Sequence, residues 1–339
     1  MRMTEYLRSR SRAERGVTAV LVAVSLTALC GVGALALDLG NAWQTRRNLV
    51  TASDAGALAA AQQYATGGTG CPTVANDYVQ RNAPSATVVQ CDKTGTASAG
   101  KVTVQAQQTV NYVLGGVVGV RNGTVRGTTT AHWGSPTGVT GARPLALCVY
   151  GDTGVTQWLS NPAQSQVIEV TYDKDNTAAC NGDANVPGNW GLVDYDGGSN
   201  PIGDQQDWIR NGYPGEVRSG TPSGNCTTEP WACYSGDPGA FSNSLDSALA
   251  SLETSHEWFV IPFFDKASGN GNNAMFHFVG FARARLTGHR TTGANGDRSL
   301  TLEFQAGLVQ GPCCGTPGVN TGLRAVEICA VDPNVTTGC

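Results

Sequence analysis

The chain has 339 residues, of which 40% are hydrophobic and only 14% charged, with 44 glycines and 15 prolines. That excludes a disordered solvating chain, which needs high net charge and few apolar residues, and at about 150 residues per domain it allows about two domains. The net charge of −4 divides into +3 over residues 1–15, where Arg2, Arg8, Arg10, Arg12 and Arg15 stand against Glu5 and Glu14, and −7 over the rest; an acidic body excludes nucleic acid as a partner, because such binding needs a basic folded surface.

The first predicted element is a helix. Gly16 to Leu37 is a run of 22 residues without a charge. At 1.5 Å per residue, about 20 residues cross the hydrocarbon core of a bilayer. Arginines crowd the N-terminal side, so the basic tip is expected in the cytoplasm and everything after Asp38 outside. Ala34-Leu35-Ala36 would pass as a signal-peptidase site. Against cleavage, the run exceeds the usual 7–15 residues of a signal h-region. The helical pattern also continues through Leu39, Ala42, Trp43, Leu49, Val50 and Ala57 into the alanine-rich tract Ala55–Ala65. One long helix is expected: cytoplasmic tip 1–15, transmembrane segment 16–37 in the lipid bilayer, and an amphipathic alanine-rich continuation 38–66.

The motifs of this region are specific. Arg15-Gly16 precedes the apolar run and Ala36-Leu37-Asp38-Leu39-Gly40 closes it. Arg46-Arg47, Asn48-Leu49, Ala52-Ser53-Asp54-Ala55 and Ala57-Leu58-Ala59-Ala60-Ala61 follow. Over about residues 14–62 this resembles the N-terminal region of TadG-like (TadE/TadG-like) proteins of the Flp, or tight-adherence, pilus assembly system. Asp38 marks the outer membrane interface, and the alanines keep one helix face small so that another helix or backbone can approach. Related pseudopilins are cleaved after a glycine and carry glutamate five residues later. Counted from Gly16, the fifth residue is Leu21. The resemblance therefore implies an anchored accessory protein, with pseudopilin-like or other pilus-assembly proteins as partners, rather than the fibre subunit.

After Gly67 the chain reads as β-rich. Strand-like, Val- and Thr-rich stretches at Ala86–Gln90, Lys101–Val113 and Thr124–His132 make a small β unit, residues 67–134. Residues 135–143 read as a linker. The remainder, 144–339, offers strands at Leu145–Tyr150, Gln166–Tyr172, Glu257–Phe264, Met275–Leu286, Ser299–Phe304 and Arg324–Val331. One helix is expected, Ser244–Thr254, with Ser242 or Ser244 as its N-cap. Asn189–Tyr213 and Trp258–Leu286 resemble C-terminal regions of some TadG-like exported proteins. The fold class is an N-terminal transmembrane α-helix followed by β-rich (α+β), disulfide-bonded exported domains.

Ten cysteines follow the apolar run: Cys71, Cys91, Cys148, Cys180, Cys226, Cys233, Cys313, Cys314, Cys329 and Cys339; Cys30 lies alone within it. An even count beyond a membrane segment reads as a disulfide framework. Cys71 with Cys91, Cys226 with Cys233 and Cys329 with Cys339 are candidate pairs. Adjacent Cys313 and Cys314 are expected to take different partners, with a vicinal redox disulfide as the alternative.

No catalytic frame is found. His132, His256, His277 and His289 fit no H-E-x-x-H motif, and no G-x-S-x-G elbow occurs. His277, in an alternating apolar strand, reads as a packed or surface residue, and His256 as a partner of a helix C-terminus. Some TadG proteins carry a von Willebrand A-type domain; its Asp-x-Ser-x-Ser motif is not found. The acidic turns Asp173-Lys174-Asp175-Asn176, Asn181-Gly182-Asp183 and Asp194-Tyr195-Asp196-Gly197 offer calcium-type oxygens but read better as Asx-turns. No catalytic residue, cofactor or metal is expected. The functional expectation is a non-enzymatic, single-pass accessory protein of Flp/Tad pilus assembly or a related export system. The competing one is an exported wall-, glycan- or calcium-binding protein sharing only the anchor.

Overall fold

The computed structural model describes residues 3–150, 152–171, 180, 190–198, 202–237, 242–269, 274–293, 297–314 and 319–329. Cys339 and the turns at 173–176 and 181–183 lie outside them.

Helix α1 runs unbroken from Met3–Ala65. It stops where glycine permits a left-handed turn: Gly67 has φ +82. Gly67 N–H bonds Tyr64 O at 3.1 Å and Gly68 N–H bonds Gln63 O at 2.7 Å, the paired closure of a Schellman cap. Helix α2 (Thr73–Asn82) folds back against α1. Strands β1 (Thr87–Gly95), β2 (Gly100–Asn111) and β3 (Asn122–Gly134) then form an antiparallel meander. Alternation decides its faces. Val102, Val104 and Ala106 of β2 and Ala131 and Trp133 of β3 are buried. They pack with Leu49, Ala52, Ala57, Ala60, Ala61 and Tyr64 of α1 and with Ala75 and Val79 of α2. The C-terminal half of α1 thus lies on the sheet as its second layer.

The stretch 135–143, read as a linker from its Gly, Pro and Thr content, instead contains strand β4 (Gly138–Thr140) and buries Val139, Ala142 and Arg143. Polar composition misleads there because β4 pairs with β8 (Glu216–Arg218), distant in sequence. Strands β5 (Leu145–Cys148), β6 (Gln166–Thr171), β7 (Trp190–Asp194), β9 (Cys233–Gly236), β10 (Phe259–Ser268), β11 (Met275–Arg290) and β12 (Ser299–Phe304) make a seven-stranded sheet of order β10-β5-β7-β9-β11-β12-β6. The long β11 also pairs with β10. The strands β10, β5, β7, β9 and β11 therefore close a ring. Phe263, Phe304, Leu147, Leu300, Leu302 and Trp158 fill one side of this sheet.

The last strands return to the first sheet, whose order is β1-β2-β3-β14-β13. Strand β14 (Leu323–Ile328) pairs with β3 in the register Val326↔Trp133 and Glu327↔His132, and β13 (Gly307–Leu308) pairs with β14. Residues within 144–339 thus complete a sheet begun in 67–134.

The second unit holds more helix than expected: α3 (Thr153–Ser160) and α4 (Ile202–Asn211) join α5 (Asp246–Ser255). Asp152 caps α3, accepting Gly154 N–H at 2.7 Å and Val155 N–H at 3.2 Å. Helix α5 is entered through a 3-10 turn, Asn243–Leu245, and neither expected serine caps it. Ser242 Oγ and Ser244 Oγ lie 2.6 Å from each other instead.

Candidate functional site

The anchor helix divides at Asp38. Before it, Val17, Val20, Leu21, Val24, Leu29, Val32, Leu35 and Leu37 are all exposed. A row of exposed apolar side chains on one unbroken helix is a candidate membrane span. The helix is long and apolar enough to cross a bilayer, and no part of its apolar window is buried among the described residues. Trp43, also exposed, follows just beyond, with Arg46 and Arg47. Tryptophan and arginine there suit a headgroup boundary.

Asp38 is buried against the tip of the β2–β3 hairpin. Its carboxylate accepts the backbone N–H groups of Val113 (2.8 Å), Leu114 (3.0 Å) and Gly115 (2.7 Å). These amides enter a short 3-10 turn, Gly115–Val118, and would otherwise be the orphan donors of a helix start. Burial works to raise the Asp38 carboxyl; the three N–H bonds outweigh it and hold it below the ordinary carboxylate value. Substituting Asp38→Ala is expected to release the hairpin tip. Hydrogen exchange at Val113, Leu114 and Gly115 should accelerate selectively while the centre of β2, around Val104, keeps its protection. Equal exchange in both proteins would contradict this role.

The rest of the motif-bearing segment is docked in the same way. Ser53 Oγ donates to Gly127 O at 3.1 Å, and Thr129 Oγ1 donates to Asp54 Oδ1 at 2.6 Å. Ala52, Ala57, Ala60 and Ala61 are fully buried. A Cβ on Gly56 would lie 2.8 Å from Val79 Cγ2 and 2.9 Å from Ala75 O. The small face does admit close backbone approach, and the backbones that use it are β3 and α2 of the same chain.

Elsewhere, several chemistry-bearing side chains are engaged in contacts with other elements of the fold. His277 is wholly buried, with Nδ1 2.8 Å from Asp265 Oδ1 and Nε2 3.0 Å from Glu229 Oε2. A carboxyl group at each ring nitrogen favours the doubly protonated imidazolium, in which both nitrogens donate. Burial opposes that charge; the two carboxylates outweigh burial and raise the His277 pKa. Glu229 lies in the loop closed by Cys226–Cys233 and also accepts Thr221 N–H at 2.8 Å. Burial raises its carboxyl, and the Thr221 and His277 bonds outweigh this and hold it low. The cluster pins that loop to β10 and β11. His277 is thus packed, as its strand position predicts, but its acidic partners come from separate elements. His256 takes the left-handed C-cap position of α5 with φ 53, and His289 Nδ1 meets Glu253 at 2.6 Å.

Cys71 is paired with Cys91, Cys148 with Cys180 and Cys226 with Cys233. Cys329 is disulfide-bonded and Cys30 is free on the exposed span. Cys313 and Cys314 are paired with each other, the alternative to the separate partners expected first. The chain turns back at Cys314, φ +83, which places its sulfur beside its neighbour's. With His132 they form a group whose ligand atoms lie within 4.8 Å. Bonded sulfurs are not the thiolates that soft metals need, so only a reduced pair would make this a metal site. The Asp194 turn is an Asx-turn: Oδ1 accepts Asp196 N–H at 3.1 Å and Gly197 N–H at 3.0 Å, which leaves that oxygen engaged by backbone.

The class of structure defined here is a single apolar helix that carries a packed α+β body on its distal half. Residues 16–63 match the model of the Tad family, described as "Putative Flp pilus-assembly TadE/G-like". The match covers the apolar run and the docked face of α1 and ends before the first strand; it ties this segment to Flp pilus assembly and to a membrane-anchored N-terminal helix. No curated protein and no solved structure matches the chain.

Proposed function

We propose that the chain is a non-enzymatic accessory protein of Flp/Tad pilus assembly or a related export and adherence system. It is held in the cytoplasmic membrane by α1, with the N-terminus in the cytoplasm and the packed α+β body outside. The observation that carries this reading is the division of α1: an exposed apolar run, Val17–Leu37, continues without a break into a face buried from Leu49 to Tyr64, all within the segment that matches the Tad model. The arginine-rich tip supports the orientation, because Lys and Arg retain their flank in the cytoplasm. The alanine face is occupied within the chain, so partner helices of the pilus machinery meet the exposed stretch before Asp38, inside the bilayer.

Deleting the gene should abolish or sharply reduce surface pili and adherence, and the intact gene should restore both. Normal piliation and adherence in the deletion strain would overturn the pilus assignment.

A further inference from the structure

We propose that the cleft between the five-stranded and the seven-stranded sheet binds a sugar acid, a carboxylate carried on a hydroxyl-rich ring. The cleft has a volume of about 570 Å³, inside the range of about 300–1,000 Å³ typical of small-molecule sites, which gather at such junctions. Five pieces of chain meet there: the end of α1, the β1–β2 turn, the end of α3, the β12–β13 connection and the approach to β14.

Arg324 supplies the charge. It is only 5% exposed. Its Nε donates to Ala97 O at 3.4 Å, Nη1 to Leu323 O at 2.8 Å and Nη2 to Asn320 Oδ1 at 2.5 Å. All three acceptors are neutral. Burial pushes this guanidinium down with no acidic group opposing it. Arg143, equally buried, has Glu257 at 3.8 Å. Buried charges are normally paired. Among the described residues lining the cleft there is no aspartate or glutamate, and Arg324 is the one charged side chain. A guanidinium has five N–H groups, so one on Nη1 and one on Nη2 remain. Two N–H groups on neighbouring nitrogens can serve a planar carboxylate with two bonds.

The other lining groups choose the frame behind the carboxylate. Ser98 and Thr96 bring hydroxyls, which lie 2.7 Å from each other, and Asn161 and Gln305 carry side-chain amides. Gln305 Oε1 accepts Arg283 Nη1 at 3.3 Å, which leaves its amide nitrogen to donate. Neutral donors and acceptors around one cation match ring hydroxyls around one carboxylate.

The test is calorimetry on the full chain in detergent, with D-glucuronate, D-glucose, acetate and inorganic phosphate as probes. Glucuronate should bind at least about tenfold more tightly than the other three. Arg324→Gln should weaken glucuronate about ten- to a hundredfold, the range of a lost charge-assisted bond, and leave glucose unchanged. Asn161→Ala, at an exposed position that does not endanger folding, should weaken glucuronate about threefold or more. A cleft that takes up none of the probes, equal binding of glucuronate and glucose, phosphate preferred over glucuronate, or glucuronate binding indifferent to both substitutions would each overturn the proposal.

Discussion

His277→Ala is expected to lower the stability of the packed α+β body by about 3–5 kcal/mol, the cost of breaking a buried ion pair and leaving its partners uncompensated. A domain's whole stability is about 5–15 kcal/mol, so this one side chain decides whether the body stays folded when warmed. The reason is geometric. Asp265 and Glu229 approach the ring from opposite nitrogens, at 2.8 Å and 3.0 Å, and removing the ring leaves two carboxylates facing a void. The pH dependence has a definite sign. The folded His277 pKa is raised above its ordinary 6.5, so its stabilisation is complete below pH 6.5 and fades as pH rises through the raised value. The folded Glu229 pKa is lowered below 4.5, so its share is complete above pH 4.5 and fades as pH falls through the lowered value. Denaturant midpoints of the wild type should therefore be highest between these limits and fall on the alkaline side. His277→Ala should lie lower and lack that alkaline fall. Identical midpoints and profiles would refute the role of the cluster.

Gly127→Val is expected to separate α1 from β3. A Cβ at Gly127 would lie 2.7 Å from Leu49 C and Val50 N and 2.8 Å from Leu49 O. These are backbone atoms of a helix and cannot swing aside as a side chain would. Overpacking typically costs about 1–3 kcal/mol and sometimes more, and the absence of a yielding neighbour places this case at the upper end. Ser53 Oγ also holds the Gly127 carbonyl at 3.1 Å, so displacement breaks a buried hydrogen bond as well. Strand propensity favours valine over glycine, so a free strand would gain from the change. Gly116→Ala is the control, because nothing lies within 4 Å of the Cβ it would carry. Calorimetric melting of the full chain should show a clear loss for Gly127→Val and little change for Gly116→Ala. A neutral or stabilising Gly127→Val would mean that the helix does not lie on the sheet.

Local signals carried much of this architecture. The charge-free run, the alanines at helical spacing and the Gly67 stop are visible in the residues and define α1. Alternating Val and Thr define β2 and β3, and Leu300, Leu302 and Phe304 define β12. What local pattern does not encode is pairing across long separations. The strand at Arg324–Val331 is visible in its alternation, but nothing local says that it joins β3 nearly two hundred residues earlier. The same holds for β4, hidden in Gly- and Pro-rich chain until β8 is placed beside it. Helix α3 had a readable signature, Asp152 as cap with Val155, Trp158 and Leu159 at helical steps. Of the sites, Asp38 was legible as a boundary but not as the acceptor for the hairpin tip, because its three donors lie 75 to 77 residues away. The partners of His277 and Arg324 are likewise products of topology.

These findings give the Tad-matching segment two successive tasks on one helix. Its first half is left exposed and apolar, and its second half is spent holding the first sheet. The proposed orientation is tested most directly by labelling spheroplasts with a membrane-impermeant maleimide. Two variants of the full chain are needed: Ser9→Cys in the basic tip and Ser251→Cys at an exposed position of α5. The account predicts that Ser251→Cys reacts at once, while Ser9→Cys reacts only after the membrane is dissolved. Labelling of Ser9→Cys in intact spheroplasts, or protection of Ser251→Cys, would contradict it.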